Sequence, residues 1–78
     1  MDNIAQFIIG ELEKYGSIPN KNVEKFNFVD SGLVDSLAIM KFIIAIEGQF
    51  NISFNDDDLL LDDFRIVSGL SQIIKNKL

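Results

Sequence analysis

Gly32-Leu33-Val34-Asp35-Ser36-Leu37 runs straight into Ala38-Ile39-Met40-Lys41-Phe42-Ile43-Ile44-Ala45-Ile46-Glu47-Gly48-Gln49-Phe50, and this junction decides the fold. At the helical turn angle, Ile39, Phe42, Ile43, Ile46 and Phe50 share one face, which is assigned to the core. A helix is therefore predicted over residues 36–50. Asp35 and Ser36 carry side-chain oxygens able to accept from the unpaired N–H groups of its first turn. Gly32 lets the chain turn sharply just ahead of it. A hydroxyl at such a place is exposed, held by the scaffold and close to the positive end of the helix dipole, which suits a phosphate-linked group. Read locally, Asp35 and Ser36 need do no more than cap the helix.

Leu37, Met40 and Ile44 form a second apolar stripe on the same predicted helix. A helix in so small a domain cannot easily bury both faces, so the stripe reads as a docking surface. Burial under the preceding loop is the other reading. Met40 adds adaptability if several partners meet the stripe. Lys41 stands on a polar strip, where solvation is the default, and joins Leu37, Met40 and Ile44 in the candidate partner surface.

Outward from this helix the pattern stays helical. Apolar residues at 4, 8, 12 and 15, with Ala5 and Ile9 alongside, predict an amphipathic helix over residues 2–15, stopped by Gly16 with Pro19 shortly after. A long connection follows from Ser17 to Val34, with Phe26, Phe28, Val29 and Leu33 available to pin it to the core. Asn51-Ile52-Ser53-Phe54 reads as a connector. Asp56-Asp57-Asp58-Leu59-Leu60-Leu61 predicts a short helix whose first-turn acids complement the dipole. A last helix is predicted over residues 66–77, burying Ile66 or Val67, Leu70, Ile73 and Ile74, with Lys75 and Lys77 at its favourable end. Strand patterns are weak throughout. The expected fold is all-α, a small four-helix bundle of three main helices plus a short third, in a single domain over residues 1–78.

Composition removes most chemistries. The chain has no Cys and no His, so disulfide staples, thiolate nucleophiles, His-based proton transfer and the usual zinc ligand sets are excluded. Ser36 has no credible activating base, so chemistry at its hydroxyl must be performed by another protein, and no enzymatic activity is expected. Asp56-Asp57-Asp58 fails as a calcium loop because its acids are contiguous and no Gly follows at the required place. No resident metal is expected.

The net charge is −5, but residues 30–63 hold eight acids and one base while the rest of the chain is net +2. An acidic middle disfavours nucleic acid and anionic membrane, and favours proteins with basic docking surfaces. The N-terminus lacks the basic start of a secretory signal, and the longest strictly apolar run, Phe42 to Ile46, is too short to span a bilayer. A soluble, cytoplasmic monomer is the expectation.

The chain resembles the acyl carrier and peptidyl (aminoacyl) carrier proteins along almost its whole length. The likeness rests on Asp35-Ser36-Leu37 at the start of a long helix, after a long loop containing Gly32. It continues through Phe42, Ile43, Ile46, Glu47 and Phe50, then Ile52, Asp56, Asp58 and Leu59, then Phe64 through Leu70. The resemblance implies that Ser36 receives 4′-phosphopantetheine from coenzyme A through a Mg-dependent phosphopantetheinyl transferase. It implies that Asp35 helps hold the metal in the transferase complex. The arm would carry acyl or aminoacyl groups as thioesters and present them to loading and transferring enzymes. The pathways implied are fatty-acid, polyketide, nonribosomal-peptide or related specialised biosynthesis. The alternative is an unmodified helical interaction module in which Ser36 only caps.

Three departures bear on pathway and fold. Gly32 lies four residues before Ser36, where carriers of bacterial fatty-acid synthesis usually have Gly three before the serine. Ala38, Lys41 and Gly48 stand where those carriers often have acids. Both features look more like stand-alone carriers of specialised pathways, D-alanyl and other aminoacyl carriers included. Ile66 replaces a Thr that often caps the last helix, so that start either frays or is capped by Asp63. The seven Phe are numerous enough to fill the space where some carriers shelter an acyl chain.

Overall fold

The computed structural model describes residues 3–78. Four helices follow in order: α1 (Asn3–Leu12), α2 (Ala38–Phe50), α3 (Asp56–Leu60) and α4 (Val67–Lys77). Short 3-10 turns lie at Val23–Lys25 and Asp62–Arg65. Among the described residues there is no strand, only an isolated antiparallel bridge between Asn27 and Ile66. The all-α expectation therefore holds, with the long connection between α1 and α2 in place. Residue 2, included in the predicted first helix, lies outside the described residues.

The first helix ends earlier than its periodicity suggests. After Leu12 the chain stays turned but tightens, with Lys14 N–H donating to the Glu11 carbonyl at 3.2 Å and Tyr15 N–H to Leu12 at 2.9 Å. These short-range bonds satisfy carbonyls that the helix end leaves free. Tyr15 thus keeps its place in the apolar pattern without being α-helical.

α1 packs against α4 and α2. Ile8 and Leu12 of α1, Phe42 and Ile46 of α2, and Val67, Leu70 and Ile74 of α4 are fully buried, together with Phe28 from the long loop. Ile39 and Phe50, assigned to the core from spacing, are half-buried at its edge. Six of the seven Phe rings pair edge to face: Phe7 with Phe50, Phe28 with Phe42, and Phe54 with Phe64, at centroid distances of 5.2–5.4 Å. Each pair joins segments distant in sequence, so the rings fasten loop and helices together.

Asp63 does not cap α4 with its side chain, nor is the helix start left loose. Ile66, just before α4, receives no side-chain cap. Its N–H donates to the Asp63 carbonyl, and Val67 N–H reaches the carbonyl of Phe26 in the long loop at 3.4 Å. Phe28 N–H donates to Arg65 carbonyl at 3.0 Å. The loop backbone does what a Thr side chain would have done. Gly69 is required here, because a Cβ would fall 2.7 Å from the Cα and Cβ of Asp63 and closer still to its carbonyl oxygen. The turn before α4 folds back tightly on α4 itself.

α3 is held differently. Asn55 and Asp58 form a capping box, each side chain accepting the other's backbone N–H at 2.9 Å. The Asp58 carboxylate also meets Lys77 Nζ, from the last turn of α4, at 2.7 Å. The Lys77 hydrogen bond, and then the Asn55 N–H, hold the Asp58 carboxyl below its ordinary value of 3.8. A lowered carboxyl pKa stabilises the fold above the unfolded value and loses that contribution as pH falls through the folded one. The expected result is an Asp58 titration midpoint below 3.8, read by side-chain carbonyl NMR, with the fastening of α3 weakening only under acid. A midpoint at or above 3.8 would contradict the ion pair.

Candidate functional site

Residues 27–34 make a compact turn that delivers the Asp35-Ser36 junction. The Asn27 side-chain oxygen accepts from Val29 N–H at 3.1 Å and Asp30 N–H at 2.8 Å, a local turn built by one side chain. Gly32 adopts φ +84, a left-handed conformation that favours glycine. Nothing stands within 4 Å of where its Cβ would be, so backbone conformation rather than space selects glycine here. Val34 N–H donates to Phe28 carbonyl at 3.0 Å, and Val34 itself is buried. The chain therefore reaches Asp35 from a fixed point in the core.

Asp35 caps the helix. Its Oδ1 accepts from Leu37 N–H at 3.0 Å and from Ala38 N–H at 2.8 Å, while its carbonyl takes the first helical bond from Ile39 N–H at 2.9 Å. Helical hydrogen bonding thus begins at Asp35 although the regular helix runs from Ala38, and Ser36 and Leu37 form its first turn. Ser36 is exposed, and among the described residues its hydroxyl has no hydrogen-bond partner. One side chain caps and its neighbour stays free.

This geometry suits a phosphodiester. A hydroxyl with no partner to displace stands in the first turn of a 13-residue helix, where the dipole favours negative charge. The scaffold fixes its position, and nothing in the local structure depends on the hydroxyl remaining free.

The stripe beside it faces solvent. Leu37 is 81% exposed, Met40 58% and Ile44 62%, and Lys41 is exposed as well. The long loop does not cover them.

Sequence reasoning did not locate a pocket, and the structure contains one. About 250 Å³ of space opens between α2, α3 and the long loop, lined by Val29, Ile39, Met40, Ile43, Leu59 and Phe64, with Arg65 also on its wall. Met40 therefore serves two surfaces, the exposed stripe and the pocket wall. No local pattern announces it, since the pocket joins Val29, the α2 residues, Leu59 and Phe64 from separate parts of the chain.

Among the described residues no helix is long and apolar enough to cross a membrane. No solved structure matches this chain. Residues 8–74 match the family model described as the phosphopantetheine attachment site, which spans both flanks of the Asp35-Ser36 junction and all the elements that position it. The chain thus belongs to the phosphopantetheine-binding carrier family, whose domain is the attachment site for covalent 4′-phosphopantetheine.

Proposed function

We propose that Ser36 is the residue that takes 4′-phosphopantetheine from coenzyme A, and that the loaded protein carries acyl or aminoacyl groups as thioesters between partner enzymes. The observation that carries this reading is the exposed, unpartnered Ser36 hydroxyl beside an Asp35 that does all the capping. A carrier needs no catalytic side chains of its own, and this chain has neither His nor Cys to offer. The bound arm supplies the thiol chemistry. The protein supplies a rigid tether point. Asp35, exposed next to Ser36, supports the magnesium ion in the transferase complex. Gly32 four residues before Ser36, with Ala38, Lys41 and Gly48 on α2, favours a stand-alone carrier of specialised biosynthesis over one of fatty-acid synthesis.

The test is incubation with coenzyme A, Mg²⁺ and a broad-specificity phosphopantetheinyl transferase, followed by intact mass. A gain of one phosphopantetheinyl group that disappears in Ser36→Ala is expected. No gain, or a gain that survives the substitution, overturns the assignment.

Leu37, Met40, Lys41 and Ile44 are the surface that partner enzymes read. Ile44→Glu is expected to slow loading by partner enzymes about tenfold or more, as truncation of an apolar interface anchor does. Far-UV circular dichroism and the unfolding midpoint should stay close to wild type, because Ile44 is exposed. Lost helicity would make Ile44 part of the fold instead.

A further inference from the structure

Every side chain on the pocket wall is apolar except one, that of Arg65. A cavity built mainly of hydrocarbon takes its specificity from the few polar groups it contains. Arg65 is firmly placed although its side chain is 46% exposed. It ends the 3-10 turn Asp62–Arg65, directly after the buried Phe64, and its carbonyl accepts from Phe28 N–H at 3.0 Å. These backbone contacts fix where the side chain starts, and they survive its substitution.

The guanidinium has donors to spare. Its planar fork of N–H groups matches a carboxylate through two parallel bonds. Here Nη1 donates to Asp30 Oδ1 at 3.4 Å, well beyond the roughly 2.7–2.9 Å of a strong charged pair. Asp30 is oriented from its other side: its Oδ2 accepts from Asn27 Nδ2 at 3.1 Å, and its N–H donates to Asn27 Oδ1 at 2.8 Å. Asp62 and Asp63 precede Arg65 in the turn, yet neither lines the pocket. A cation on an apolar wall, loosely held by a carboxylate that the loop positions, is matched to a second anion.

We propose that Arg65 is a specificity-determining residue, selecting a carried acyl group that ends in a carboxylate. The apolar wall meets the hydrocarbon body, and the guanidinium fork meets the terminal carboxylate. Asp30 is the competing anion, which shares or yields the guanidinium. A cargo ending in a methyl group leaves Arg65 as it is, and one ending in an ammonium group is repelled. This assignment rests on the carrier role of Ser36 and names the class of its cargo, a dicarboxylic acid held by one end.

Adipoyl and hexanoyl thioesters share a chain length and differ in the terminal carboxylate, so they isolate that group. Each is installed from its coenzyme A thioester by a broad-specificity phosphopantetheinyl transferase and checked by intact mass. Cleavage of the loaded thioester by hydroxylamine is then timed, relative to the corresponding free coenzyme A thioester. A seated cargo holds its thioester away from a nucleophile in solvent. The adipoyl form should be cleaved about two- to fivefold more slowly than the hexanoyl form, the range for one partly exposed charge pair. Arg65→Gln should bring the two rates together. Asp30→Asn should widen the gap, because it removes the competing anion. A purely structural Arg65–Asp30 pair makes both substitutions act alike, so a narrower gap in Asp30→Asn overturns the proposal. Equal slowing of both cargoes that is lost in Arg65→Gln assigns the guanidinium to the phosphate of the arm and overturns it too. Absence of any mass gain overturns the carrier reading and the proposal together, whereas full loading with equal rates overturns the proposal alone.

Discussion

Ser36→Ala is expected to abolish phosphopantetheinylation outright while changing the unfolding free energy by less than about 0.5 kcal/mol, the usual range for an exposed substitution. The neighbouring Asp35→Ala should do the reverse to the fold, with a loss of about 0.5–2 kcal/mol on removal of a helix cap. The asymmetry follows from the first turn of α2. Both N–H groups that need a side-chain acceptor, those of Leu37 and Ala38, go to Asp35 Oδ1, and none goes to Ser36. Urea denaturation of both variants, alongside the mass assay, separates attachment from capping. Asp35→Asn adds a third comparison. It keeps an oxygen for the cap and loses the charge, so it should retain most of the stability while slowing the transferase. If Ser36→Ala proves as destabilising as Asp35→Ala, the hydroxyl is a structural group and not a free one.

Phe42→Ala is expected to cost about 3–5 kcal/mol, as truncation of a fully buried aromatic ring does. A 78-residue domain has a stability of roughly 4–12 kcal/mol, so a large share of it is at stake. Phe42 is fully buried and sits edge to face with Phe28 at a centroid distance of 5.2 Å. Phe28 is the buried anchor of the long loop, and its backbone receives Val34 N–H one residue before Asp35. Removing the ring therefore hollows the core and loosens the path that delivers the junction to the start of α2. A midpoint drop of roughly 15–30 °C in thermal unfolding is expected from that loss in a domain of this size. A drop under about 5 °C would show that the Phe28–Phe42 pair does not hold the loop.

The helices of this protein are legible in its sequence because their causes are local. The spacing of Phe42, Ile43 and Ile46 places α2 and its buried face, and the same spacing leaves Leu37, Met40 and Ile44 on an outer stripe that is indeed exposed. Asp35 next to Ser36 already contains a division of labour, since an aspartate one residue earlier has the better reach to the first-turn N–H groups. Where local signals were read too far, the ends moved: α1 stops at Leu12 because its last turn tightens.

The contacts that complete the site are not local. Val67 N–H finds its acceptor in Phe26, Lys77 finds Asp58, and Gly69 makes room for Asp63. The pocket wall gathers Val29, Ile43 and Phe64 from three segments. By itself the sequence determined an all-helical chain with a serine at a helix start and no catalytic equipment around it, because periodicity, capping and composition act within a few residues. Only the tertiary structure decided that a pocket opens one turn away and that α3 is tied to α4 by the Asp58–Lys77 ion pair. Those features depend on which distant side chains meet when the core closes, and no local pattern encodes that meeting.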